Sequence, residues 1–199
     1  MIRQTMDKEK RFIMKIVYIP LLLLIVLLTT GCGIDKNKEY QMKPFTFTDQ
    51  NGEPFGTQYL KGKVWIADFI FTSCETVCPP MTASMSALQE EMKKKGIEVE
   101  FVSFSTDPEI DTPAKLKEFS EKFGDNGGNW HLLTGYKQSE IETFAREEFQ
   151  TLIQKPESSD QVIHSTSFYV IDQYGRITNS FGFQKSHFDE IVREVEKLQ

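Results

Sequence analysis

The stretch that decides the fold runs from Lys63 to Pro80 and reads KVWIADFIFTSCETVCPP. Its first nine residues are almost continuously apolar and β-prone, which is typical of a strand buried on both faces of a sheet. A C-x3-C pair follows, and two prolines then begin a segment whose apolar residues recur at helical spacing. The pattern predicts a buried strand, a turn with two thiols and a helix. The thiols then lie at the carboxyl edge of the sheet, where α/β folds bind ligands.

The flanking sequence extends this unit into a larger α/β domain. An Asn51-Gly52 pair between apolar stretches predicts an N-terminal hairpin, and Ser139 with Glu142 predicts a capping box. We expect helices over 79–95, 112–123, 139–149 and 186–198, strands over 97–105 and 130–133, and a hairpin formed by 167–172 and 176–181. This order predicts an α/β fold in which helices flank a central mixed β-sheet and the N-terminal β-hairpin is an extension.

Composition excludes several classes of protein. The chain has 199 residues, about one domain with some extra, and its 23 basic and 29 acidic residues give a net charge of −6. A nucleic-acid-binding protein needs a basic surface, so we expect no nucleic-acid partner. Three cysteines are too few for a multi-disulfide scaffold.

The N-terminal residues have the pattern of a targeting segment. Basic residues precede the apolar run 16–28, which Thr29-Thr30-Gly31-Cys32 follows. We predict a lipoprotein signal peptide over 1–31, lipidation of Cys32, a tethered linker over 32–43 and a domain over 44–199. The protein would then be lipid-anchored on the extracytoplasmic face of a bacterial cell membrane. The alternative is an uncleaved transmembrane anchor over 16–34, which is long enough to span a bilayer.

The two domain cysteines, Cys74 and Cys78, are the main candidates for chemistry. If both were helical, their Cβ atoms would lie roughly 5–6 Å apart, which suits a shared metal ion better than a disulfide. Two thiolates need a third ligand. His164, before a predicted strand, is either that ligand or a surface residue, whereas we expect His131 to pack in the fold and His187 to face solvent. Thiolates with imidazole suit copper or zinc.

Polar residues elsewhere have two interpretations each. Asp68 lies inside the predicted buried strand, six residues before Cys74, and is either solvent-facing at an edge or a buried acid that tunes a thiol. The run 107–111 (DPEID) could hold a cation, but a turn and helix cap is the simpler interpretation. The methionines of the first long helix are expected in the core.

Four motifs together resemble the SCO/SenC family over about residues 40–198. They are DFIFTSCETVCPP (68–80), FSTDPEIDTP (104–113), WHLLTG (130–135) and VIHSTSFYVID (162–172). The resemblance implies a membrane-anchored thioredoxin-like fold that binds one copper ion, Cu(I) or Cu(II), through Cys74, Cys78 and His164. It also implies a role in assembling the CuA centre of cytochrome c oxidase subunit II. Asp68 matches the buried aspartate of thioredoxins.

Three functions are compatible with these residues. The first is copper delivery, with Cys74 and Cys78 also able to form a redox disulfide and with other copper chaperones or thiol–disulfide reductants as further partners. The second is a thiol–disulfide oxidoreductase that reduces the CuA-site cysteines. The third, a peroxiredoxin-type peroxidase, is disfavoured because Thr72 lies two residues before Cys74 instead of three.

Overall fold

The computed structural model describes residues 41–124, 128–156, 159 and 161–199. The predicted signal peptide, Cys32 and most of the predicted linker lie outside these residues. Within the linker range, Met42 is buried, and its N–H donates to the carbonyl of Gly175. Met42 therefore packs as part of the domain, although it lies within the predicted linker range.

The central sheet is mixed, as the sequence predicts. Its strands are β3 (Trp65–Ile70), β4 (Glu100–Ser105), β5 (Trp130–Leu133), β6 (Ser167–Ile171) and β7 (Ile177–Gly182), in the order β5-β4-β3-β6-β7. Strands β3, β4 and β5 are parallel, whereas β6 is antiparallel to both β3 and β7. All six residues of β3 are buried, which confirms the expectation of a strand covered on both faces.

A small hairpin precedes this sheet and closes its edge. It consists of β1 (Thr46–Thr48) and β2 (Pro54–Gly56). Thr48 forms an isolated antiparallel bridge with Thr134, just beyond β5. The Gln50 side chain accepts a hydrogen bond from the N–H of Leu132 and donates one to the carbonyl of Trp130. The hairpin thereby satisfies backbone groups of an edge strand that would otherwise lack partners.

The helices cover both faces of the sheet. They are α1 (Thr57–Leu60), α2 (Cys78–Lys95), α3 (Pro113–Phe123), α4 (Gln138–Glu148) and α5 (Phe188–Leu198), with a 3₁₀ turn at Lys185–His187. Side chains of α2, α3 and α5 share one core cluster, with members such as Met81, Leu116 and Ile191. Those of α4 and the hairpin share the other, with members such as Ile141 and Phe55. The methionine stripe of α2 is buried, as expected.

Some element boundaries differ from the prediction. Helix α4 begins at Gln138, so the predicted cap at Ser139 is wrong: Lys137 is the N-cap, and its N–H donates to the Glu140 carboxylate over 2.6 Å. Glu140 and Glu142 both follow Ser139. The carboxylate of Glu140 accepts from the N–H of Lys137, and this contact sets the start of the helix. Strand β4 begins at Glu100 instead of Ile97. Within the described part of the chain, no helix combines the length and apolar character needed to cross a membrane.

Candidate metal centre

The two cysteines lie where β3 ends and α2 begins. Cys78 is the first residue of α2, whereas Cys74 lies in the preceding turn, where its N–H donates to the carbonyl of Phe71. Both are free thiols and both are buried. Because only Cys78 is helical, the Cβ separation of roughly 5–6 Å expected for a helical pair does not apply. That separation is therefore no argument against a disulfide between Cys74 and Cys78.

The two thiols have different environments. The N–H of Cys78 donates to Sγ of Cys74 over 3.3 Å, and the hydroxyl of Thr76 lies 3.8 Å from the same sulfur. Burial raises the pKa of the Cys74 thiol, but hydrogen bonds from Cys78 and Thr76 outweigh it, so the net pKa is lowered. The pKa of Cys78 is raised well above its ordinary value, first by burial and then by the Cys74 side chain. Cys74 is therefore the more easily formed thiolate.

The structure brings His164 to these thiols. Its Nε2 lies 3.5 Å from Sγ of Cys78, and its Nδ1 lies 2.8 Å from the carbonyl oxygen of Ser165. Because that oxygen only accepts, Nδ1 carries the proton of the neutral ring and the Nε2 lone pair faces the sulfur. Burial lowers the pKa of His164, and its ring meets Phe71 edge-on at 5.5 Å. A neutral imidazole with a free Nε2 lone pair is chemically able to bind a metal ion.

The spacing of these donors suits a soft metal ion. A sulfur and a nitrogen bound to one tetrahedral ion, with bonds of about 2.3 and 2.0 Å, lie about 3.5 Å apart. That is the distance found between Cys78 and His164. Among the described residues, however, no three His, Cys, Asp or Glu side chains are arranged closely enough to hold a metal ion as they stand. Binding of one ion by all three donors therefore needs a local adjustment of the centre.

Asp68 is a buried acid, and the solvent-facing interpretation is wrong. Its side chain has no exposed surface, and neither carboxylate oxygen has a hydrogen-bond partner among the described residues. Burial raises its pKa to about 7, with the Ser103 hydroxyl on the paired strand acting in the opposite direction. When ionised, Asp68 also raises the pKa of Cys78.

The other histidines lie away from the thiols. His131 stacks on Phe55 with ring centroids 3.7 Å apart, as expected for a packing residue. His187 is 40% exposed, and its Nδ1 lies 3.2 Å from the Glu190 carboxylate. Neither contributes to the candidate centre.

The sequence interpretation missed a buried polar network beside the centre. Asp107 and Asp111 do form the predicted turn, but both carboxylates are buried, and the cap of α3 is Thr112. Asp111 accepts hydrogen bonds from Thr72, and Asp107 pairs with Lys155. The polar residues directly after β4, at the carboxyl edge of the sheet, could have indicated this network. No feature of the sequence indicates that Lys155 belongs to it.

Comparison with known proteins gives a consistent result. A model of the SCO1/SenC family matches residues 35–199. The crystal structure of a SCO1/SenC family lipoprotein from Bacillus anthracis is 47% identical, with a TM-score of 0.78 over 83% of this chain and 99% of that one. The structure of BsSco is 44% identical, with a TM-score of 0.74 over 83% of this chain and 96% of that one. BsSco is a member of the Sco family of cytochrome c oxidase assembly proteins, and a disulfide switch was identified in it.

A third similar structure contains a metal. Bradyrhizobium japonicum ScoI with copper bound is 26% identical, with a TM-score of 0.67 over 80% of this chain and all of that one. These similarities confirm the thioredoxin-like fold expected from the sequence motifs. The family match over residues 35–199 shows that this chain belongs to the SCO1/SenC family.

Proposed function

We propose that this protein is a membrane-anchored, extracytoplasmic copper-binding protein that delivers copper for the CuA centre of cytochrome c oxidase subunit II. One observation carries the proposal: Nε2 of His164 faces Sγ of Cys78 at 3.5 Å, with Cys74 hydrogen-bonded beside it. Copper bound to B. japonicum ScoI and the assembly role of the family of BsSco support it.

The three side chains have distinct roles in this proposal. Cys74, with the lower thiol pKa, forms a thiolate first and meets the incoming ion. Cys78 and the neutral ring of His164 complete a soft donor set that favours copper over hard cations. Copper is the cargo, so the protein must also release it.

Oxidation of the thiols gives a route to release. When Cys74 and Cys78 form a disulfide, two protons leave and two electrons pass to an oxidant of the thiol–disulfide class. The same step removes both sulfur ligands from the site. The disulfide switch identified in BsSco supports this coupling.

Anchoring at the membrane is the part that rests on the N-terminal sequence. Lipidation of Cys32 would hold the domain on the extracytoplasmic face, and the B. anthracis relative, a lipoprotein, supports it. Mass spectrometry of the N-terminus of the membrane-bound wild-type protein tests this: the chain should begin at a lipidated Cys32. An unprocessed N-terminus that still contains residues 16–34 would show that this segment is an uncleaved anchor instead.

Copper titration tests the delivery proposal. The reduced protein should bind one equivalent of Cu(I) or Cu(II), and His164→Ala should weaken binding and remove nitrogen ligation. His187→Ala is the matched control, because His187 is partly exposed and belongs to another element. Equal binding by wild type and both variants, or no copper binding by wild type, contradicts the proposal.

A thiol–disulfide oxidoreductase that reduces the CuA-site cysteines is the second candidate. The observation that favours it is the pairing of a low-pKa Cys74 with a high-pKa Cys78 near the buried Asp68. Disulfide exchange with a subunit II fragment by a protein with negligible copper affinity would favour this function over delivery.

A further inference from the structure

We propose that a chain of polar contacts, built around three buried residues, positions His164 against the thiols. This polar bridge consists of Thr72, Asp111, Ser105, Asp107 and Lys155. It begins two residues before Cys74 and ends at the base of the segment that carries His164. Its consequence for copper rests on the proposed function, whereas its consequence for the metal-free protein does not.

The first half of the bridge holds the loop before Cys74. The hydroxyl of Thr72 donates to Oδ1 of Asp111 over 2.5 Å, and its backbone N–H donates to the same carboxylate over 3.2 Å. Ser105, at the end of β4, donates its hydroxyl to Oδ2 of Asp111 over 2.6 Å. The Asp111 carboxylate is fully buried, and these hydrogen bonds join it both to the loop before Cys74 and to the end of β4. These bonds fix the Cys74 loop relative to the carboxyl end of β4.

The second half holds the other side of the centre. The N–H of Asp107 donates to Oγ of Ser105 over 3.1 Å, which continues the chain. Nζ of Lys155 lies 2.7 Å from Oδ1 of Asp107 and 3.7 Å from Oε2 of Glu109. Asp107 is 2% exposed and Glu109 is 70% exposed, so the contact with Asp107 is the shielded one. A buried carboxylate left without its cation is strongly unfavourable, which gives Lys155 a defined position.

Backbone hydrogen bonds connect the neighbour of Lys155 to the neighbour of His164. Gln154 and Ile163 exchange a pair of them, at 3.0 and 2.9 Å, as an isolated antiparallel bridge. Lys155 directly follows Gln154, and His164 directly follows Ile163. The ion pair at Lys155 therefore acts on His164 through a single backbone pairing.

Apolar packing, and not the Lys155 ion pair, attaches this part of the chain to the core. Ile153 and Val162, which flank the Gln154–Ile163 bridge, are buried in the core cluster that includes both cysteines. This packing keeps Gln154 and Ile163 paired next to the domain core when the ion pair is removed. Loss of Lys155 should therefore shift or loosen His164 without unfolding the protein.

The test uses Lys155→Met, with Lys155→Arg as the charge-conserving rescue. Lys122→Met is the matched control, because Lys122 is 62% exposed and pairs with exposed Glu118 within α3. In the reduced, metal-free protein, amide exchange at Gln154 and Ile163 should accelerate in Lys155→Met alone. In the Cu(II) form, affinity should fall by roughly tenfold to a hundredfold, the usual effect of losing a partner that orients a ligand. The nitrogen coupling in the electron paramagnetic resonance spectrum should weaken with it.

Asp107→Asn provides a second route if Lys155→Met does not fold. It removes the same ion pair, keeps the side-chain shape and should give the same two changes. The inference is overturned if folded Lys155→Met or Asp107→Asn matches Lys122→Met in both exchange and copper spectrum. If wild-type protein shows no nitrogen ligation, the proposed function fails. The role of the polar bridge is then decided by amide exchange in the metal-free protein alone.

Discussion

Replacement of Asp68 by Asn should make the protein's stability less dependent on pH. Asp68 is fully buried, neither of its oxygens has a hydrogen-bond partner among the described residues, and burial raises its pKa from 3.8 to about 7. The folded protein therefore holds a proton on Asp68 that the unfolded chain releases at lower pH. Under these conditions, stability falls as pH rises from the unfolded to the folded pKa.

The size of this effect follows from the shift. At about 1.36 kcal/mol per pKa unit, a rise from 3.8 to about 7 corresponds to a loss on the order of 4 kcal/mol. Most of the loss should occur between about pH 4.5 and pH 7. Because the Asn side chain does not titrate, Asp68→Asn lacks this loss, and its stability relative to wild type should increase with pH.

Urea denaturation of the reduced, metal-free protein at several pH values measures the difference directly. Burying the Asn amide has its own cost, which does not vary with pH, so the variant carries a constant offset. Only the change of the difference with pH is diagnostic. Glu53→Gln, which removes an exposed carboxyl in the β1–β2 turn, is the control for the loss of one negative charge. A difference between Asp68→Asn and wild type that stays constant across the pH range would refute the reasoning.

Three further predictions concern the thiols and the hairpin. In wild-type protein, iodoacetamide should label Cys74 before Cys78, since the pKa of Cys74 is lowered and that of Cys78 is raised; peptide mapping by mass spectrometry decides, and preferential labelling of Cys78 contradicts it. Gln50→Ala should destabilise the protein by about 1–3 kcal/mol in urea denaturation, because two backbone groups of β5 lose their partners; an unchanged midpoint would count against this clamp. Gly135→Ala should cost at least about 1–2 kcal/mol, because φ is +86° there and a β carbon would lie 2.6 Å from Oγ1 of Thr48; wild-type stability of the variant would show that the turn can adjust.

Much of the fold could be predicted because its signals are local. The apolar run of β3, the methionine spacing of α2 and the Asn51-Gly52 turn each specify an element through neighbouring residues. Errors occurred where two local signals compete. At the start of α4, for example, both Glu140 and Glu142 were available as capping partners, and only the structure identifies which is used.

The candidate centre was predictable only in part, because its parts are distant in sequence. The residues alone identified Cys74 and Cys78, whereas the choice of His164 depended on the resemblance to a family. Lys155 and Asp107 could not be paired from sequence, since their ion pair depends on how two loops meet at the sheet edge. The burial of Asp68 was likewise open until both faces of β3 were seen to be covered.

X-ray absorption spectroscopy of the copper-loaded protein tests the central claim most directly. If Cys74, Cys78 and His164 bind one copper ion together, the spectrum of wild type contains two sulfur scatterers and one imidazole nitrogen. In His164→Ala the nitrogen shell disappears while both sulfurs remain. A wild-type spectrum without sulfur, or an imidazole shell that persists in His164→Ala, would contradict the account.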